Sequence, residues 1–422
     1  MSEFSELGLS TTVCQCLENI GLKTPTDIQR QVIPEIIQKS DVIAGAQTGS
    51  GKTFAYLLPV FEHLSEALTD RLSCTETGKP SVLIVVPTRE LAQQVFNSFC
   101  ELTSGTGLKA ACIYGGASVN VQKQKLAQYP QVVIGTTGRL LDMIYLKALD
   151  ISHLAIWVLD EGDRLLDMGF SPDIERLSKK MSVRPQTLLF SATYSPGVIR
   201  FSQKYLQHPK RVQIGDENRV VSSIEERLYE LDEKQKRKAL SFLIGSENWQ
   251  QVLVFVRKKV SVESIAKELK LDGISASTLH GDKSQGARER ALELFMCGES
   301  RVLVATDVAA RGLHIEDLPV VINYDIPFKA EDYVHRIGRT GRVNKTGLAV
   351  SFVTKNDEPM LKKIEQLIDH RLSVQWLTGF EPEILSQDEP EPVARKKSRN
   401  YEKQQLKKRL KIHSGRGKNR SR

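Results

Sequence analysis

Lys52 and Thr53 close an octapeptide, AQTGSGKT at 46–53, that brings two glycines, a lysine and three hydroxyl residues ahead of an apolar stretch. Glycines let a backbone wrap phosphate oxygens and aim its N–H groups inward. A lysine then adds a point charge for β- and γ-phosphates, and a threonine hydroxyl suits Mg2+. On this reading Ala46, Gln47, Thr48, Gly49, Ser50 and Gly51 cradle phosphates, with Lys52 and Thr53 nearest the chemistry. Ala46 occupies the first glycine position of the general G-x-x-x-x-G-K-[ST] pattern, so the match is incomplete, and a chance glycine turn could look similar. A second motif decides against chance: DEGD at 160–163 follows an apolar run, where Asp160 can reach the metal and Glu161 can act as general base on the attacking water. Phosphoryl transfer also needs cations beyond the γ-phosphate. HRIGRTGR at 335–342 offers Arg339 and Arg342 as arginine fingers, far from the loop in sequence. Hydrolysis then requires two parts of the chain to close on one nucleotide.

Elements able to hold these groups are visible as short apolar runs, each closed by a small or polar residue and followed by a helical pattern, at 41–44, 82–86, 156–159 and 188–190. The pattern restarts after a polar stretch, at 252–256, 302–305 and 320–322, with helices between, such as 262–271 and 286–295. Runs apolar at every position suit strands buried on both faces, so two successive open, mostly parallel α/β sheets flanked by helices are expected, with motifs at the carboxyl ends of the strands. We place a first domain at 1–212, a linker at 213–223, a second domain at 224–377, and a tail at 378–422 that turns acidic and then basic. The tail is expected to be extended or disordered.

The 422 residues suit two domains, and 40% hydrophobic against 26% charged residues excludes a chain disordered throughout. The net charge of +8 misleads. Residues 395–422 hold thirteen Lys or Arg against Glu402 alone, a net +12, which leaves −4 for residues 1–394. The six cysteines form no zinc-like spacing, and no apolar run approaches the ~20 residues that cross a bilayer. A cytoplasmic protein with reduced thiols and no membrane partner is expected.

Taken in order, these motifs resemble those of the DEAD-box RNA helicases over residues 4–377, especially the compact bacterial ones. The resemblance implies two tandem RecA-like domains, ATP and Mg2+ as cofactors, and RNA as the partner. Phe4 and GLKTPTDIQ at 21–29 resemble the adenine-reading Q motif, which implies that Gln29 hydrogen-bonds the base edge. PTRELAQQ at 87–94 (Pro87, Thr88, Arg89), Gly115 with Gly116, and TTGR at 136–139 (Thr136, Arg139) stand where the family holds the RNA backbone. VFV at 254–256, HGDKSQGARE at 280–289 and ATDVAARGL at 305–313, with Thr306, do so from the second domain. Backbone donors with a few arginines and no aromatic ladder suit sugar and phosphate contacts without base reading. Ser191 and Thr193 of the SAT triplet, with Asp163 and His335, resemble the group that couples hydrolysis to strand separation. Proteins of ribosome assembly or RNA decay are partners that such enzymes imply.

Three positions depart from the family pattern. Gly162 replaces the alanine of DEAD, Thr137 replaces a proline and is expected to loosen a turn near RNA, and His314 stands where an aspartate usually holds the ATP ribose. Two other readings compete: a nonenzymatic ATP-gated RNA clamp, which intact Lys52, Glu161, Arg339 and Arg342 disfavour, and a DNA helicase or another P-loop ATPase, which the Q motif with ATDVAARGL and HRIGRTGR disfavours.

Overall fold

The structure, a computed structural model, describes residues 3–46, 50–69, 79–214, 224–310, 318–341 and 346–383. Gln47, Thr48, Gly49, His314 and Arg342 lie outside these ranges, as do residues 215–223 of the proposed linker and the tail beyond residue 383. One compact unit runs to Glu381, and a separate segment begins at Pro382.

Within the first unit, two parallel sheets follow one another. The first is built from β1 (Val42–Gly45), β2 (Val82–Val86), β3 (Ala110–Ile113), β4 (Val132–Thr136), β5 (Ile156–Leu159), β6 (Gln186–Ser191) and β7 (Lys210–Gln213). The second comprises β8 (Ile224–Glu230), β9 (Val252–Phe255), β10 (Ala276–Leu279), β11 (Val302–Ala305), β12 (Val320–Asn323), β13 (Gly347–Val353) and β14 (Val374–Trp376). Among the described residues the orders are β3-β4-β2-β5-β6-β1-β7 and β10-β11-β9-β12-β13-β8-β14. Counting each sheet from its own first strand makes the two orders identical, so the same wound topology is laid down twice.

Burial on both faces explains the unbroken apolar runs. In β2, Val82, Ile84 and Val86 enter one core while Leu83 and Val85 enter the other. Every residue of β1, β2, β5, β9, β11 and β12 is buried. Asp41 ties the entry to β1 into its neighbours: its carboxylate accepts from Thr187 N at 2.9 Å and Gln207 N at 2.6 Å and pairs with Arg184. Packing continues past Leu377, since Phe380 meets Phe242 with ring centroids 5.4 Å apart. Among the described residues no helix is long and apolar enough to cross a membrane.

Candidate active site

β1 delivers the phosphate loop from a fixed point, because Ala46 N donates to Ser191 O at 3.2 Å and extends the pairing with β6 by one residue. Lys52 opens the helix Lys52–Thr69, and its buried ammonium donates to Ala46 O at 2.6 Å. Gly51 has φ +92°, and a Cβ there would stand 2.7 Å from Gln29 Nε2 and 2.8 Å from Thr26 Oγ1. Glycine is therefore required both for the turn and for the close approach. Gln29 uses that approach: its Oε1 accepts from Thr26 N at 2.9 Å, capping the helix Asp27–Ile37, and its Nε2 donates to Gly51 O at 3.1 Å. The carboxamide implied to read adenine thus also fastens its segment to the phosphate loop. Phe4 lies buried in the first core, where it supports this segment as packing.

Across the sheet, β5 ends in the acidic motif. Asp160 is buried, with Oδ2 accepting from Tyr56 OH at 2.9 Å and Oδ1 from Glu161 N at 2.8 Å. Burial pushes its carboxyl above the ordinary range, against the opposing pull of Lys52 and the Tyr56 bond. Glu161 has φ 50° and ψ 53°, a left-handed conformation that costs a non-glycine residue about 1–3 kcal/mol. Its Oε2 is buried with no hydrogen-bond partner among the described residues. Burial and then the Asp160 charge raise the Glu161 carboxyl, while Arg164 and Arg339 pull it back. Arg339 belongs to the second sheet's half, so a cation from the far lobe already acts on the candidate base.

Asp163 joins the motif to the end of β6. Its Oδ2 accepts from Ala192 N and Thr193 N, each at 3.2 Å, and from Thr193 Oγ1 at 3.4 Å, while its own N–H donates to Ser191 Oγ at 3.3 Å. The acidic helix and the SAT triplet are thereby joined by hydrogen bonds. His335 lines an inter-lobe crevice with Arg164, Asp332, Arg336 and Arg339.

The first-lobe motifs that the resemblance implies hold the RNA backbone also converge. Thr88 caps the helix Arg89–Leu102 by accepting from Leu91 N at 3.3 Å. Gly116, at φ +86°, lets the Arg89 guanidinium pass: a Cβ there would fall 2.2 Å from Nη1. Arg139 donates to Ala117 O at 2.9 Å, so Arg89, Gly116 and Arg139 share one patch, with Pro87 buried and Gly115 and Thr136 half-buried beside them. Thr306, at the end of β11, is buried.

The profile described as DEAD/DEAH box helicase matches residues 26–201, and that described as Helicase conserved C-terminal domain matches residues 235–344. The ATP-dependent RNA helicase RhlB of Vibrio vulnificus is 38% identical over 403 residues, 95% of this chain and 92% of its own. This chain belongs to the DEAD-box family of ATP-dependent RNA helicases. CshA of Geobacillus kaustophilus, a DEAD-box ATP-dependent RNA helicase, is 38% identical over 88% of this chain and 78% of its own. S. cerevisiae Dbp5 bound to RNA and ADP BeF3 aligns with a TM-score of 0.76 and 29% identity, covering 90% of this chain and 96% of that one.

Among DEAD-box motifs, the structure adds groups that sequence reasoning passed over. Arg336 is 2% exposed. It grips Asp307 through two bonds of 2.6 and 2.7 Å, donates to Asn323 Oδ1 and Asp325 O, and lies over the Phe255 ring. Its position inside HRIGRTGR was the available signal, but three arginines in eight residues do not announce which is buried. Tyr56, one helical turn beyond Lys52, was likewise hidden as an apolar-face residue until its hydroxyl met Asp160. Thr137 corrects an expectation: it is the first residue of the helix Thr137–Tyr145 and fully buried, so no turn is loosened there. Proline fits that position because a first helical N–H has no intrahelical acceptor, and threonine fills it with an ordinary backbone.

Proposed function

We propose that this RNA-dependent ATPase works as a cytoplasmic clamp in which Glu161 orients and deprotonates the attacking water, and Arg339 with Arg342 stabilises the charge that develops on the transferred phosphoryl group. The observation that carries this reading is the buried Glu161 carboxylate, with an oxygen free of hydrogen bonds, within the field of Arg339 from the other lobe. Lys52 binds the β- and γ-phosphates, Gln29 favours ATP, and residues 46–51 supply backbone donors. The donor set fits Mg2+: Asp160 is a buried carboxylate at the strand end, held by the Tyr56 hydroxyl, and Thr53, next to Lys52 at the start of the following helix, carries a second oxygen donor. Oxygen ligands of this kind suit a hard cation, which when bound would neutralise phosphate charge. RNA lies along Pro87, Thr88, Arg89, Gly115, Gly116, Thr136 and Arg139 in one lobe and Thr306 in the other, held by its backbone, and strands separate locally on closure. Remodelling of ribosome precursors or of RNA under decay is the setting we infer.

Substitution separates the roles. Lys52→Ala should lose ATP binding and hydrolysis together. Glu161→Gln should retain ATP and RNA while turnover falls by about 100-fold or more, the scale of a lost general base. Arg339→Ala should behave as Glu161→Gln does. Wild-type turnover by Glu161→Gln in a phosphate-release assay would remove Glu161 from the mechanism.

A further inference from the structure

Arg164 and Asp332 are charged and buried, and beyond the pull of Arg164 on Glu161 neither has been given a role. Arg164 directly follows the DEGD run, and Asp332 stands in the helix Ala330–Ile337, three residues before His335. Arg164 Nη1 lies 2.8 Å from Asp332 Oδ1, with the two side chains 7% and 10% exposed. The partners are 168 residues apart and lie on helices of different lobes, so the pair exists only when the lobes meet.

Two other inter-lobe pairs differ in kind. Lys329–Asp167 is 53% and 31% exposed, and a pair so hydrated contributes little. Arg288–Glu90 is better shielded, but it joins the RNA-side motifs. Lys329–Asp167 spans the same two helices at their exposed ends, so Arg164–Asp332 is, among these three, the buried contact between the helix that follows the catalytic acids and the helix that leads into Arg339. Arg164 is fixed from its own side as well, because its N–H donates to Asp163 Oδ1 at 2.9 Å and Asp163 is tied to the SAT triplet.

We propose that Arg164 and Asp332 form an inter-lobe latch, a pair of positioning residues whose union on closure sets Arg339 opposite Glu161. A buried ion pair adds little stability as a whole, yet removing one partner strands the other charge away from water and is strongly unfavourable. The consequence falls on the closed state alone, since both groups are solvated when the lobes part. Losing either partner therefore weakens closure without altering the phosphate loop. This rests on the division of catalytic groups between lobes proposed above.

The test is a double-mutant cycle in the full-length protein with Arg164→Gln, Asp332→Asn and both together. Three quantities are followed: ADP affinity, the lifetime of the complex with single-stranded oligouridylate and ADP–beryllium fluoride, and RNA-stimulated kcat with the KM for RNA. Each single variant should keep wild-type ADP affinity, shorten the clamp lifetime by about tenfold or more, and raise the KM for RNA with a smaller fall in kcat. The double variant should be no worse than the poorer single one. Effects that multiply in the double variant, or a clamp lifetime unchanged in Asp332→Asn, would overturn the latch. Because these readouts compare clamp lifetimes, they hold whether or not Glu161→Gln stalls turnover, so failure of the latch and failure of the general-base assignment remain distinct results.

Discussion

Gly162 shows how a single methyl group is weighed by its surroundings. Replacing glycine by alanine within a helix gains about 0.5–1 kcal/mol, and most of the family carries alanine here. In this chain, however, a Cβ at 162 would stand 2.5 Å from Leu189 Cδ1, and Leu189 is fully buried in the second core. Overpacking of that kind costs about 1–3 kcal/mol, so the crowding should exceed the helical gain. Gly162→Ala is therefore expected to lower stability by about 1 kcal/mol in chemical denaturation, and adding Leu189→Val should recover most of it. Recovery is the informative arm, because a backbone effect at 162 would not respond to a change in β6. The motif alone presents Gly162 only as a missing methyl beside the acids. Its partner is 27 positions further along, on a strand whose register the motif does not reveal.

At the scale of elements, the legible parts were those with a uniform pattern. β1, β2, β5, β9, β11 and β12 were readable because burial on both faces leaves no alternation to misread. The edge strands were not: β7 is exposed at three of its four positions and β14 at all three, so neither carries an apolar run. β8 escaped for a related reason, since it reads IEERLYE and only Leu228 is buried. The motifs of the site were found because phosphate chemistry demands unusual residues at fixed spacing. The groups that hold those motifs in place, such as Arg336, Tyr56 and Asp41, are ordinary residues made important by contacts across the fold. Asp41 offers the clearest test, since its carboxylate joins the approach to β1 with β6 and the segment leading to β7. Asp41→Ala leaves the Thr187 and Gln207 N–H groups without their acceptor and Arg184 without its anion. Stranded buried donors cost about 1–3 kcal/mol each, so a loss of about 3 kcal/mol is expected. The measurement is thermal unfolding of the variant, with Asp41→Asn falling between it and wild type because one acceptor oxygen survives. A variant as stable as wild type would show that water replaces the carboxylate at no cost.

For the whole molecule the governing quantity is the separation of charge along the chain. Residues 1–394 carry −4, so the enzyme body as a whole does not draw a polyanion to itself, whereas residues 395–422 carry +12. We propose that the basic segment is an RNA tether: it raises the concentration of RNA near the clamp and gains affinity by releasing counterions, without entering the chemistry. Lys52, Asp160, Glu161 and Arg339 all belong to the compact unit that ends at Glu381, which is why turnover and capture are separable. Truncation after Ala394 should then leave RNA-saturated ATP turnover near wild type while weakening RNA binding at low salt. The salt dependence should flatten too, because log affinity falls against log salt with a slope of about −0.7 for each phosphate neutralised on a single strand. If about half of the thirteen cations engage phosphates, truncation should reduce that slope by roughly 4. Binding to a single-stranded oligonucleotide, titrated across salt concentrations with and without residues 395–422, provides the measurement. Convergence of the two curves at high salt identifies the tail's contribution as electrostatic. Superimposable curves at every salt concentration would show that the tail serves a protein partner instead, and that RNA capture resides wholly in the two lobes.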